Sequence, residues 1–375
     1  EPVEFVEING VMIAVPALDL ILRLEDLGLT FSTDGVGIKM KPLEGYPFPQ
    51  LTEAQEAGIR NFVLESVLSC VNGAFAQRWN DVAVSNGKQA DKLEVEFGEA
   101  ITPEMLRDAL KKKHYEAVTI VHNETSTGVV SDVSAIRRAI DAARHPALLL
   151  VDTISSLGSL DYRHDAWGVD VTVAGSQKGL MLPPGLSFNA VSDKALAAAK
   201  TSKMPKSFWS WEEMLNSNSN GWFPYTPATN LLYGLNEACD MLLEEGLDAV
   251  FARHRRYGEA TRLAANTWGL EILCSDPKAY SGVLTALVMP EGHDADAFRK
   301  VVLENFNMSL GQGLSKVAGK VFRIGHLGDF NDLMLMGTLS GVEMGLGLAK
   351  VPHKAGGAQA ALTYLRDTAP GARQA

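Results

Sequence analysis

Between residues 117 and 192, short apolar runs alternate with an amphipathic segment, and this rhythm constrains the fold more than any other feature. "AVTIVHNE" (117–124), "PALLLVD" (146–152), "VDVTVAG" (169–175) and "LSFNAVS" (186–192) are short, aliphatic and often β-branched, as buried strands are. Between the first two lies "SDVSAIRRAIDAARH", with Val133, Ile136 and Ile140 on one helical face and Ser131 as the expected N-cap. Strand, helix, strand in that order predicts an α/β chain with a mainly parallel sheet covered by helices on both faces.

Further along, "LLYGLNEACDMLLEEG" and "LDAVFARHRRYGEATRLAANTWG" read as long helices meeting at Gly246. Beyond them, "VLTALVMPEG", "DADAFRKVVLENF", "KVFRIGHLG" and "DLMLMGTLSGVEMGLGL" alternate strand and helix again. At 375 residues the chain is long enough for two domains. The expected division is a divergent N-terminal segment (1–45), a large domain (46–245) and a smaller C-terminal α/β domain (246–375).

A net charge of −11 argues against nucleic acid or an anionic membrane as partner. No apolar stretch approaches the roughly 18 residues of a membrane span. The acidic start "EPVEFVEING" lacks the basic region of a signal peptide. Cys70, Cys239 and Cys274 are odd in number and widely spaced, which predicts no metal centre and fits a reducing, cytoplasmic setting.

In open parallel sheets, ligands bind beyond the carboxyl ends of the strands. Three such ends carry unusual chemistry: "HNETSTG" (122–128), Asp152, and "GSQK" (175–178). Asp152 alone reads equally as a turn residue or as a carboxylate that keeps a heterocyclic nitrogen protonated. Lys178 alone reads as a solvated cation, yet a lysine at a buried strand end sheds its charge and can form a Schiff base. The hydroxyls of Thr125, Ser126, Thr127 and Ser176 suit a phosphate or a turn. "GSQKG" is not a P-loop, since the spacing GxxxxGK[ST] is absent. Together, an imine-forming lysine, a carboxylate on the neighbouring strand and small hydroxyls match the needs of pyridoxal 5'-phosphate.

"HNETSTG", "VDTISSLGS", "AGSQKGLMLPPG", "FPYTP" and "GKVFRIGHLG" resemble the class V aminotransferases, and among them the branch using serine or alanine with glyoxylate. The resemblance runs from about Gly73 to the C-terminal region. It implies a fold-type I pyridoxal-phosphate transferase, with a seven-stranded, mainly parallel sheet in its large domain. It also implies a homodimer with shared active sites and small amino-acid and 2-oxo-acid substrates. The implied reaction moves the amino group of serine, or a similar small amino acid, to glyoxylate, giving hydroxypyruvate and glycine by a ping-pong cycle.

Carried over by motif, Lys178 matches the Schiff-base lysine and Asp152 the partner of the ring nitrogen. Phe75, in "NGAFAQRW", matches the aromatic stacked on the cofactor ring. Thr125 matches a hydroxyl near the ring oxygen, and Gln177 a phosphate-side donor. Thr226, beside Tyr225 in "FPYTP", matches a phosphate contact given by the other subunit. Arg323 matches the fork that holds the substrate carboxylate.

The chain departs from the family at its glycine-rich phosphate loop, S-G-T-G-x-x-E. The nearest counterpart is "PQLTEAQEAGIRN" (49–61), in which Thr52 and Glu56 fit but Leu51 and Glu53 replace glycines. A carboxylate repels phosphate, so weakened cofactor retention is expected. Alanine–glyoxylate transamination is the alternative within the family. Cysteine desulfuration fits poorly, because the three cysteines lie in packing contexts. A reading of another class is a non-catalytic dimeric relative whose loop no longer holds cofactor.

Overall fold

The computed structural model describes residues 66–202 and 204–369, together with the backbone of two short hairpins. These pair Phe5–Ile8 with Val11–Ala14 and Leu29–Thr33 with Ile38–Pro42. The expectations for Thr52, Leu51, Glu53 and Glu56 fall outside the described residues.

The central sheet runs Ser187–Val191, Val171–Gly175, Leu148–Asp152, Ala117–Val121, Ser66–Val71, Gln89–Glu94. All neighbours are parallel except the first pair, where Ser187–Val191 returns antiparallel along Val171–Gly175. Among the described residues the sheet has six strands where seven are expected. One edge is that antiparallel return strand. The other is Gln89–Glu94, whose polar sequence suits an edge in solvent. Asp152 lies level with Val121 and Val173, so two strands end at one height while Val171–Gly175 runs two residues further.

Helix Val133–Ala142 packs Val133, Ile136, Ala139 and Ile140 onto the sheet residues Leu68, Ile120 and Leu149. Its N-cap is Asp132, which accepts the Ala135 N–H at 2.8 Å, and not the expected Ser131. The Ser131 hydroxyl instead donates to the Val121 carbonyl at 2.9 Å, which ties it to the strand end and leaves capping to the next residue.

Helices Thr229–Glu245 and Leu247–Trp268 meet at Gly246, whose φ of 84° is a left-handed conformation that suits glycine. The second helix serves two cores. Val250 and Phe251 pack with Leu242, Leu180 and Met181, whereas Tyr257 to Trp268 enter a C-terminal core with Phe298, Phe322, Leu335 and Leu339. That core backs an antiparallel sheet of Glu271–Ile272, Leu284–Val288, Val321–Gly325 and Gly311–Gln312. A bridge between Val129 and Tyr280, and a bond from Ser281 N–H to the Gly128 carbonyl, join it to the "HNETSTG" segment. No helix among the described residues is long and apolar enough to cross a membrane.

Candidate active site

The turn "GSQKG" leaves strand Val171–Gly175 at its carboxyl end. Gly179 follows Lys178 because nothing larger fits: a Cβ there would run into the Leu157 carbonyl and come within 2.6 Å of Ser159 Oγ. Met181, two residues on, has φ of 60°, uncommon for a side-chain-bearing residue. The Lys178 amine has no ion-pair or hydrogen-bond partner among the described residues. Burial holds its pKa below the ordinary value, and the positive Arg323 lowers it further. Such an amine is closer to the free base that nucleophilic and proton-transfer chemistry requires.

Asp152 is largely withdrawn from solvent and meets no cation among the described residues. The Trp79 indole N–H donates to Oδ2 at 2.8 Å, and the Ile154 backbone N–H to Oδ1 at 2.8 Å. Burial raises its pKa, and these two donors oppose that shift.

Phe75 sits in the first turn of helix Ala74–Ser85, where orphan backbone N–H groups need acceptors. The fully buried Glu124 supplies them. It accepts from Ala76 N–H at 2.9 Å, Phe75 N–H at 3.4 Å and the Ser126 hydroxyl at 2.7 Å. Ser126 Oγ in turn accepts the Ala74 N–H at 2.9 Å. A Cβ at Gly73 would collide with the Glu124 side chain, so glycine lets the helix start against it.

Arg323, on strand Val321–Gly325, donates from Nη1 to the Thr125 carbonyl at 2.7 Å and from Nε to the Gln312 carbonyl at 2.8 Å. Burial lowers its pKa while the Glu124 carboxylate pulls the other way. Nη2 has no partner among the described residues, so part of the fork remains for a ligand. The Thr125 hydroxyl donates to Ser155 Oγ at 2.7 Å, and Ser155 also binds Asn123.

Bonds and electrostatics thus link Phe75, Asp152, Thr125, Lys178 and Arg323 around the strand ends. Gln177 is exposed and folds back over Gly175. Thr226 is exposed and has no described contact with the cluster, while Tyr225 lies by Ser207 and Glu213. Of the other hydroxyls, Ser176 braces its own turn by bonding Pro183 and Leu186, and that of Thr127 is buried with no partner among the described residues. Sequence reasoning missed Glu124 and Trp79. The four-residue step from Phe75 to Trp79, one helical turn, was the available signal.

The fold and this cluster define an α/β transferase-type chain with a candidate site at parallel strand ends. Residues 65–326 match the family model described as aminotransferase class-V, and the chain belongs to that family. It is 46% identical over 316 residues to serine–glyoxylate aminotransferase of Hyphomicrobium methylovorum, covering 82% of this chain and 78% of that one. It is 40% identical over 344 residues to L-aspartate–glyoxylate aminotransferase of Paracoccus denitrificans, covering 90% and 87%. A solved structure, pyridoxamine-pyruvate aminotransferase from Mesorhizobium loti, superposes with a TM-score of 0.75 at 29% identity, covering 80% and 78%. The architecture is the fold-type I aminotransferase fold.

Proposed function

We propose that the protein transfers the amino group of serine to glyoxylate, releasing hydroxypyruvate and glycine, with pyridoxal 5'-phosphate as cofactor. The similarity to the serine–glyoxylate enzyme supports the substrates. The observation that carries the cofactor is Asp152, a withdrawn carboxylate held by two neutral N–H donors and facing no described cation. Such a charge fits a protonated ring nitrogen. Lys178, Phe75 and Thr125 fit the carbonyl, the ring face and the ring oxygen. Gln177, Thr52 and the partner's copy of Thr226 are assigned to the phosphate.

When bound, the cofactor supplies a carbonyl that condenses with amines and a ring that accepts an electron pair. The chain's own residues do the rest. Arg323 clamps the donor carboxylate with the unused part of its fork. Lys178, as free base, removes the Cα proton and later returns one during turnover of the acceptor. Asp152, as a carboxylate, would hold the ring nitrogen protonated. The donor's keto acid leaves before glyoxylate enters, so the same clamp serves both.

Residues 46–245 are assigned to the cofactor and 246–375 to the carboxylate clamp. Exposed Trp209, Trp222 and Tyr233 (76%, 74% and 80%), which flank the exposed Thr226 in sequence, suit a surface covered by a second copy of the chain. The aspartate–glyoxylate relative favours aspartate as a second donor.

The test has two parts. The purified protein should be yellow and be bleached by borohydride; a colourless protein that takes up no pyridoxal phosphate supports the non-catalytic reading. With glyoxylate as acceptor, serine should exceed alanine and aspartate in kcat/KM, and a leading aspartate would reassign the donor.

A further inference from the structure

We propose that Trp79 is a positioning residue whose indole N–H fixes the orientation of the Asp152 carboxylate toward the cofactor ring nitrogen. The inference rests on the cofactor reading above. Helix Ala74–Ser85 places Phe75 and Trp79 at i and i+4, so both project from one face. Phe75 is set by Glu124 at the helix start, and Trp79, one turn later, reaches Asp152 Oδ2 at 2.8 Å. One helix therefore delivers both the proposed stacking ring and the support of the proposed ring-nitrogen partner.

The chemistry of the donor matters. With only the Ile154 N–H, one carboxylate oxygen would be held and the other left to swing. With Trp79, each oxygen has one N–H and a remaining lone pair, and the plane of the carboxylate is set. Indole donates but does not accept, so Trp79 can neither take a proton from Asp152 nor compete with it for the ring N–H. It is also neutral. An arginine or lysine in its place would satisfy the carboxylate and remove its demand for a cation.

The test is a double-mutant cycle on pyridoxal-phosphate affinity, measured by titrating the apo-protein. Trp79→Phe keeps a ring but loses the donor, and should weaken binding about tenfold. In an Asp152→Asn background the same change should cost less than twofold more, because the two residues act as one unit. Trp79→His, which restores a ring N–H, should recover at least half of the lost affinity on a logarithmic scale. Equal weakening in both backgrounds, or none in either, overturns the proposal. If Trp79→Phe does not fold, Trp79→Met takes its place in the cycle under the same criteria. A parent protein that binds no pyridoxal phosphate overturns the cofactor reading and this inference with it. A parent that binds it as tightly as Trp79→Phe overturns the role of Trp79 alone.

Discussion

Glu124 accepts the backbone N–H of Ala76 at 2.9 Å from a position with no solvent exposure, so a buried carboxylate fixes where the helix of Phe75 begins. Among the described residues its carboxyl group is met by hydrogen bonds and by no ion pair, and burial raises its pKa. Glu124→Gln turns one acceptor into an N–H₂ group facing backbone or hydroxyl donors. Leaving a buried donor unpaired costs about 1–3 kcal/mol. We expect the apo-protein to lose about that much stability in urea melts and cofactor affinity to fall as Phe75 shifts. Unchanged melts would mean that the helix start is held by other contacts.

Gly179→Ala tests the loop of Lys178 without touching the amine. The new methyl meets the Leu157 carbonyl and Ser159 Oγ, so the backbone must move. A displacement near 1 Å at a reacting group can lower turnover about a hundredfold. The expected result is a folded protein with kcat down by that order. If kcat stays within threefold of the parent, the close packing of the loop does not govern the lysine.

Arg323→Lys should raise KM for the amino donor and for glyoxylate together, each about tenfold or more, because a point charge replaces a planar fork. The variant also gives up the grip on the Thr125 and Gln312 carbonyls. A rise confined to one substrate in steady-state kinetics would show that donor and acceptor use separate anchors.

Acid should destabilise the fold through three buried histidines. Burial is the main cause in each case, lowering His122 and His254 from 6.5 to about 4 and His326 to about 3. His254 is locked neutral: Nδ1 faces the Val250 carbonyl and Nε2 accepts the Gly328 N–H. Above 6.5 all three are mainly neutral in both folded and unfolded chains, so their contribution is present in full. As pH falls, the unfolded chain takes up protons first. Stability is then lost toward and through the folded values, by up to about 1.4 kcal/mol per pH unit for each histidine. Urea melts at pH 7.5 and 5.0 should show this drop, and His326→Gln should reduce it. A slope unaffected by that variant would place the acid sensitivity elsewhere.

How much of this was legible depended on where the information lies. The strands around Val121, Asp152 and Gly175 announce themselves as apolar runs, and the helices flanking Gly246 as long amphipathic stretches. The edge strand Gln89–Glu94 is polar and carries no such mark. Ser131 and Asp132 are both good caps, and only the tertiary pull of the Val121 carbonyl decides between them. Motifs singled out Lys178, Asp152, Thr125 and Arg323 as candidates, whereas their spatial linkage required the fold. Glu124 and Trp79 act through partners 48 and 73 residues away, which no local pattern reveals.

Gly328, just beyond the strand of Arg323, is held on two sides by helix Leu247–Trp268: His254 accepts its N–H and Arg253 binds its carbonyl. A Cβ on Gly328 would lie 3.8 Å from the Lys178 carbonyl and 3.5 Å from Met181, which the same helix packs through Val250 and Phe251. On the proposed function, the helix would be the frame of a caliper, with the guanidinium and the lysine amine as its two jaws. A caliper of fixed gap measures the span from an amino acid's carboxylate to its Cα, which every α-amino acid shares. Such a caliper would accept the proposed donor by that constant length and leave discrimination among side chains to whatever lines the remainder of the pocket.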